Sequence, residues 1–437
     1  MRMKLMTGAA LALVIASPAF ANSSNVVQNN NSQTAIVDQT GGNSASSDIN
    51  QSGNTNSATV NQSDTSATAA ATAHNTSDID QAGDDNSASV TQINTGTGST
   101  AENVSSIAQT GTDATATVLQ DGTGNSSAID QLAAGAESAD VKQTGADNSS
   151  DIAQTGTGGS VTVDQGFTGG GSEAGIVSVD QFGADGMIFA YQSGVGQSAT
   201  INQGGSNNTS ETDQSGENNI ASVEQLGAGS SVFIEQIGLV LGNTAVVSQS
   251  GNASDFVSLQ DGSENMIDFL QSADDSSTSV TQEGTGNDVT GSQAGSLNTI
   301  VVTQSDVANT ASLTQSGSGN LIDVAQIVLG NDAVVVQSGS TNTTQLSQNG
   351  TANLADIIQG GLDNFADISQ LGADNEVKIN QTGSSGTIDV DQSTSGAYAE
   401  VNQSGGSGNE AYVTQMSLDA ISIITQVGTG NYASINQ

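Results

Sequence analysis

The sequence predicts an all-β chain, folded as a parallel two-sheet β-solenoid with about 11 residues per strand and turn and about 22 per rung. Three observations carry that expectation. A glutamine falls at every eleventh residue from Gln249 to Gln403 without a miss. Counting back from each of them in steps of two meets an apolar residue, then a small or apolar one, then Asn, as in Gln381, Ile379, Val377 and Asn375. A short Gly-bearing stretch follows most of these glutamines, as Gly317 follows Gln315. Alternate residues share one face of a strand, so Asn375, Val377, Ile379 and Gln381 point one way while Glu376, Lys378 and Asn380 point the other. A helix would need spacings of three and four, which the pattern lacks.

The inward positions are kept with few departures. Two residues before Gln260 through Gln403, 12 of 14 positions are apolar, Ser258 and Gly291 being the exceptions. Six residues before, ten are Asn, with Ser254, Ser276, Gly386 and Ala397 departing. An inward amide is costly unless its donors and acceptors are paired. Strands stacked in register about 4.8 Å apart solve this, because each amide can bond the like amide above and below. With alternate strands in two facing sheets, residue i lies on i+22. The expected self-assembly ladder therefore comprises Asn287, Gln293, Asn298, Gln304, Asn309, Gln315, Asn320, Gln326, Asn331, Gln337, Asn342, Gln348, Asn353, Gln359, Asn364, Gln370, Asn375 and Gln381.

In chain order, residues 1–21 read as a secretory signal peptide: Arg2 and Lys4, an apolar run from Ala9 to Ala16, and Ala19-Phe20-Ala21 as the cleavage site. The apolar run is too short for a membrane span of about 20 residues. The chain is thus expected to be exported from a bacterial cell and not embedded. Residues 22–38 are Asn-rich and form either the first repeat or a targeting tail. Residues 39–437 form the array, with inserts near 63–76, 93–103 and 166–175, where successive glutamines (Gln62 and Gln81, Gln92 and Gln109, Gln165 and Gln181) are too far apart for one repeat. Ala-, Thr-, Ser- and Gly-rich additions of this kind are cheap at surface corners. From Gln28 to Gln437 the 36 glutamines at ladder positions make about 18 rungs, a rod of roughly 85 Å. Nothing resembling a capping helix is expected at either end, and uncapped sheet edges recruit further strands.

Composition narrows the function. Beyond residue 21 there is no proline to interrupt a ladder and no cysteine for a disulfide or thiolate site. Two lysines stand against 45 acids there, a net charge of −43 that excludes the basic patch a nucleic acid needs. Under the 22-residue rung, Lys142 lies over Asp164, and Lys378 lies between Asp356 and Glu400, giving expected cross-rung ion pairs worth about 0.2–1 kcal/mol each. Asp213 and Glu235 stack like on like, so assembly is expected to be opposed at low ionic strength.

Catalysis finds no support. His74 is the only histidine and sits in the first insert. Paired acids such as Asp84/Asp85 and Asp274/Asp275 occupy turns, where Asp is favoured anyway. They could hold a divalent cation loosely, but no cofactor is expected.

The repeated unit Q-x4-N-x5-Q resembles the curlin repeat. Copies that carry it include Gln282/Asn287/Gln293, Gln304/Asn309/Gln315, Gln359/Asn364/Gln370 and Gln426/Asn431/Gln437, and the resemblance spans nearly all of the chain beyond residue 21. It implies a secreted, extracellular subunit of curli amyloid fibres, supporting adhesion and biofilm. Its implied partners are itself, a nucleator subunit and a curli-type secretion machinery. The chain differs from the familiar subunits in its greater repeat number, its acidity, its corner inserts and its nearly universal Asn. The alternative is a monomeric β-solenoid adhesin or ice-binding protein, which needs a regular outward face such as a repeated Thr-x-Thr row.

Overall fold

Period-two runs of apolar and amide residues extend the chain, and the glycines between them reverse its direction. Strand and corner therefore alternate throughout. The computed structural model describes residues 12–16 (backbone only), 22–41, 45–64, 75–94, 102–132, 135–166, 172–238 and 241–437. These contain strands and turns and no helix. The fold is a parallel β-solenoid of about 22 residues per rung, present in each of two units, Met1–Asn218 and Asn219–Gln437.

In the second unit, successive strands alternate between two parallel sheets. Thr299–Val307 pairs with Leu321–Leu329, which pairs with Thr343–Thr351. In the facing sheet, Thr310–Gln315 pairs with Asp332–Ser340, which pairs with Leu354–Leu362. The register sets Gln304 against Gln326 against Gln348, and Gln315 against Gln337 against Gln359. Like therefore lies on like, one rung apart.

The first unit repeats the arrangement with uneven spacing. Gln62 pairs with Gln92 and Gln81 with Gln109, across the first two inserts. Gln165 pairs with Gln192 across the third. Most residues of these inserts, including His74, lie outside the described residues. Ser172–Glu173, at the end of the third, rejoins the sheet beside Gly145 and Ala146. The Asn-rich segment is stacked too: Ser23–Asn29 pairs with Ser46–Ser52, bringing Gln28 against Gln51. Ala12–Ala16, inside the expected signal peptide, pairs in parallel with Ala35–Gln39.

The core is a set of vertical columns. Val280, Val302, Val324, Leu346, Ile368 and Val390 stack in one sheet of the second unit, all buried. Burying each such side chain contributes about 1.5–3 kcal/mol. Phe256 and Phe269 face each other across the interior with ring centroids 5.4 Å apart. Gly291, an exception to the apolar rule, follows from this: a Cβ there would stand 1.9 Å from the Phe269 ring. The missing side chain in one rung makes room for an oversized one in the next.

The corners need glycine for a different reason. Gly317 has φ +101°, and a Cβ on it would lie 1.8 Å from the Gly339 carbonyl oxygen. Stacked corner backbones come so close that no side chain fits between them.

Candidate assembly site: the amide ladders

The ladder glutamines lie on the strands with their side chains between the two sheets. Gln326 is typical. Its Nε2 donates to Gln348 Oε1 at 2.9 Å and to the Thr310 carbonyl of the facing sheet at 2.8 Å. Its Oε1 accepts from Gln304 Nε2 at 2.7 Å. The amide is thus paired along the stack and across it, which removes the cost of its burial. The same chain runs from Gln293 through Gln315, Gln337, Gln359 and Gln381 to Gln403 in the facing sheet, at 2.7 to 3.0 Å. In the first unit it survives the inserts, with Gln51 to Gln81 and Gln62 to Gln92 both at 2.8 Å.

Asparagine does a different job. Asn331 Nδ2 donates back to Asn309 Oδ1 at 3.0 Å and to the corner carbonyls of Ile327 and Gly350 at 2.9 and 3.1 Å. Its Oδ1 accepts the backbone N–H of Asn353 at 3.2 Å. Asn287, Asn298, Asn320, Asn342, Asn353, Asn364 and Asn375 occupy equivalent corners. The glutamine ladder donates toward later rungs, while the asparagine amides that touch one another donate toward earlier ones. Period alone did not reveal this opposition.

Serine substitutes for asparagine in a way the sequence pattern did not show. Ser254 Oγ donates to the Ala273 carbonyl at 2.6 Å, and Asn298 N–H donates to Ser276 Oγ at 3.1 Å. The hydroxyl covers one donor and one acceptor of the missing amide. Gly386 and Ala397 take only the backbone part, their N–H groups donating to Asn364 and Asn375 Oδ1 at 3.0 Å. Buried Thr344 of the facing sheet bridges two rungs of one ladder, accepting from Gln337 Nε2 at 3.0 Å and donating to Gln359 Oε1 at 2.7 Å.

On the outward faces, the structure brings Lys142 to Asp164 at 2.9 Å. Lys378 departs from expectation. The register does place it between Asp356 and Glu400, yet its ammonium pairs with Glu376, two residues earlier on the same strand, and lies 5.5 Å from the centre of the Tyr398 ring. Glu400 is instead held by the Tyr398 hydroxyl at 2.9 Å and Asn402 Nδ2 at 2.8 Å. Neighbours two apart on one strand lie about 6.6 Å away against about 4.8 Å across rungs, a difference that a long lysine side chain spans, so register alone does not choose the partner. The hydrogen bond and charge of Glu376 raise the Lys378 ammonium, and those from Asn402 and Tyr398 lower Glu400.

Several outward acids are pushed above their usual range. Burial does this first for Asp389, followed by the charges of Asp367 and Asp391. Burial alone raises Asp367, and burial with Asp80 and Asp48 raises Asp78. The turn acids are engaged in the corners: Asp84 and Asp274 each accept from the backbone and side chain of an asparagine one rung earlier. Among the described residues, no group of three or more His, Cys, Asp or Glu converges as a metal site.

These features define a structural solenoid whose interior is held by amide ladders. Four of its segments, 111–145, 211–238, 273–305 and 350–383, match the curlin associated repeat. The repeat family is structural and not enzymatic. No curated protein matches the chain.

Proposed function

We propose that this protein is a secreted structural subunit that self-assembles into curli-like extracellular amyloid fibres supporting cell adhesion and a biofilm matrix. The single observation that carries this is the repetition of one hydrogen-bond chain, Gln to Gln, through successive rungs. A rung from a second copy offers the same donors and acceptors as the next rung of the same chain. Cleavage after Ala21 would remove Ala12–Ala16 from the backbone of Ala35–Gln39 and leave that strand edge free to pair. A nucleator subunit and a curli-type export route are the partners this reading implies, in a bacterial host.

The monomeric adhesin or ice-binding alternative needs a long outward hydroxyl row. Thr34, Ser57, Ser87, Thr115, Ser138 and Ser160 do stack for six rungs before Met187 ends the row, but the second column that a Thr-x-Thr face needs, Thr59, Ser89 and Thr117, lasts only three rungs between Ile36 and Asp140. The deciding experiment follows the chain from Asn22 onward by thioflavin-T fluorescence, fibre diffraction and sedimentation. Fibres with a 4.7–4.8 Å meridional reflection are expected. A chain that stays monomeric at high concentration would transfer the case to the alternative.

A further inference from the structure

Glu137 stands six residues before Gln143, at the place asparagine holds in most rungs. It is 1% exposed, and neither carboxyl oxygen has a hydrogen-bond partner. Two other rungs carry a side chain of the same length at this place. Gln33 Nε2 donates to the carbonyls of Asn29 and Gly53, both at 2.9 Å, and Gln197 Nε2 donates to those of Ser193 and Gly216. The Oε1 atoms of both glutamines accept nothing. Asn103 and Asn125 likewise donate to the carbonyls of Gly122 and Gly145. The corner therefore asks its occupant for hydrogen-bond donors. In the Glu137 rung the matching glycine is Gly156, two residues beyond Gln154.

An ionised carboxylate has no donor to give, whereas a neutral carboxylic acid has one and is otherwise close to glutamine in shape. We propose that Glu137 is a proton-operated latch: its rung closes with the side chain as a neutral acid whose O–H donates to the Gly156 carbonyl, taking up one proton from solvent, and ionisation releases the corner. The corners that lead into the flanking strands Thr115–Thr123 and Ser160–Gln165 place Ala114 and Gly159 beside Glu137, and the one acid of the first corner, Asp113, is exposed. The charged groups of these strands and its own, Asp121, Asp140, Lys142 and Asp164, lie on the outward face. Asp130 and Asp151 of the facing sheet also point outward. No charge of either sign is thus set against the carboxyl from inside. Burial pushes the carboxyl above its ordinary value, and its own backbone amide, committed to the Gly135 carbonyl at 3.0 Å, only partly opposes this.

A carboxyl raised in the folded state stabilises its rung at acid pH and loses that contribution as pH climbs from the ordinary glutamate range to the raised value. The test is hydrogen–deuterium exchange of the chain from Asn22 onward between pH 4 and 8, read on peptides covering Ser138–Ala146 and corrected for intrinsic rates. Glu137→Gln, which supplies the donors permanently, is the comparison, and the other acids cancel between the two chains. Local opening of the native chain relative to the variant should rise by up to about tenfold per pH unit over that window, the limit for one linked proton. Carbon-13 NMR of the Glu137 carboxyl in the native chain should show its inflection above the ordinary glutamate range. Parallel exchange profiles, or a carboxyl that titrates in the ordinary range, would overturn the latch.

Discussion

Replacing Gln326 with leucine tests the ladder most directly, because its three hydrogen bonds are individually placed. Gln348 Oε1 loses the donor 2.9 Å away, and the Thr310 carbonyl loses one at 2.8 Å. Gln304 Nε2 loses its acceptor at 2.7 Å but keeps the Asp288 carbonyl at 3.1 Å. Leaving a buried polar atom without its partner costs about 1–3 kcal/mol. Two such losses, partly offset by the added apolar burial, give a net destabilisation of about 2–4 kcal/mol for Gln326→Leu. The control is Ser347→Ala on the exposed face of the adjacent rung, where about 0.5 kcal/mol or less is expected. Urea unfolding of the chain from Asn22, with hydrogen exchange on Leu321–Leu329 and Thr343–Thr351, reads both. Because a solenoid's stability is close to a sum of nearest-neighbour terms, the excess opening should centre on these rungs. A Gln326→Leu chain no less stable than Ser347→Ala would refute the ladder as the source of rung cohesion.

Three further outcomes follow from the same geometry. Gly317→Ala must place a Cβ 1.8 Å from the Gly339 carbonyl oxygen, whereas Gly330→Ala meets nothing within 4 Å; urea midpoints should show a loss of about 1–2 kcal/mol at Gly330, from its left-handed backbone alone, and a much larger one at Gly317. Asp367 and Asp389 are raised in the folded state, so acidification through the carboxylate range should stabilise the second unit; Asp389→Asn should flatten that slope in unfolding experiments at pH 3 to 7, and an unchanged slope would count against it. Fibre formation should have a longer lag in 10 mM salt than in 300 mM, since stacked acids about 4.8 Å apart repel and salt screens them; equal lag times would remove charge as a brake on assembly.

Strand, corner and register were legible in the sequence because each follows from spacing. A glutamine every eleventh residue with apolar residues alternating before it leaves one arrangement in which amides meet amides, and the bonds from Gln304 to Gln326 to Gln348 have that form. What spacing cannot specify is the choice among several neighbours that one long side chain can reach. Lys378 had three acids within reach, and the one on its own strand took it. Gly291 looked like a lapse until Phe269 was seen to fill the space above it. Ser254 and Ser276 looked like losses of asparagine, yet a hydroxyl can serve both the carbonyl and the amide of that corner. Glu137, Gln33 and Gln197 carry one sequence signal, a side chain longer than asparagine six residues before a ladder glutamine, and it lies in the irregular half of the array.

The inserts show what the phase counts. From Gln51 to Gln81 the stack advances 30 residues instead of 22, and from Gln81 to Gln109 it advances 28, yet both side-chain bonds stay at 2.8 Å. Lengthening one strand-and-turn unit from about 11 to about 19 residues costs only about 0.5 kcal/mol in closure entropy. A slip of a single residue would turn every inward side chain outward, exposing a column of valines and isoleucines and orphaning the amides. The second cost exceeds the first many times over, so the ladder keeps its register across the added residues. The repeat is therefore conserved in rungs and not in residues, and the chain can gain corner loops without losing the stack from which assembly would proceed.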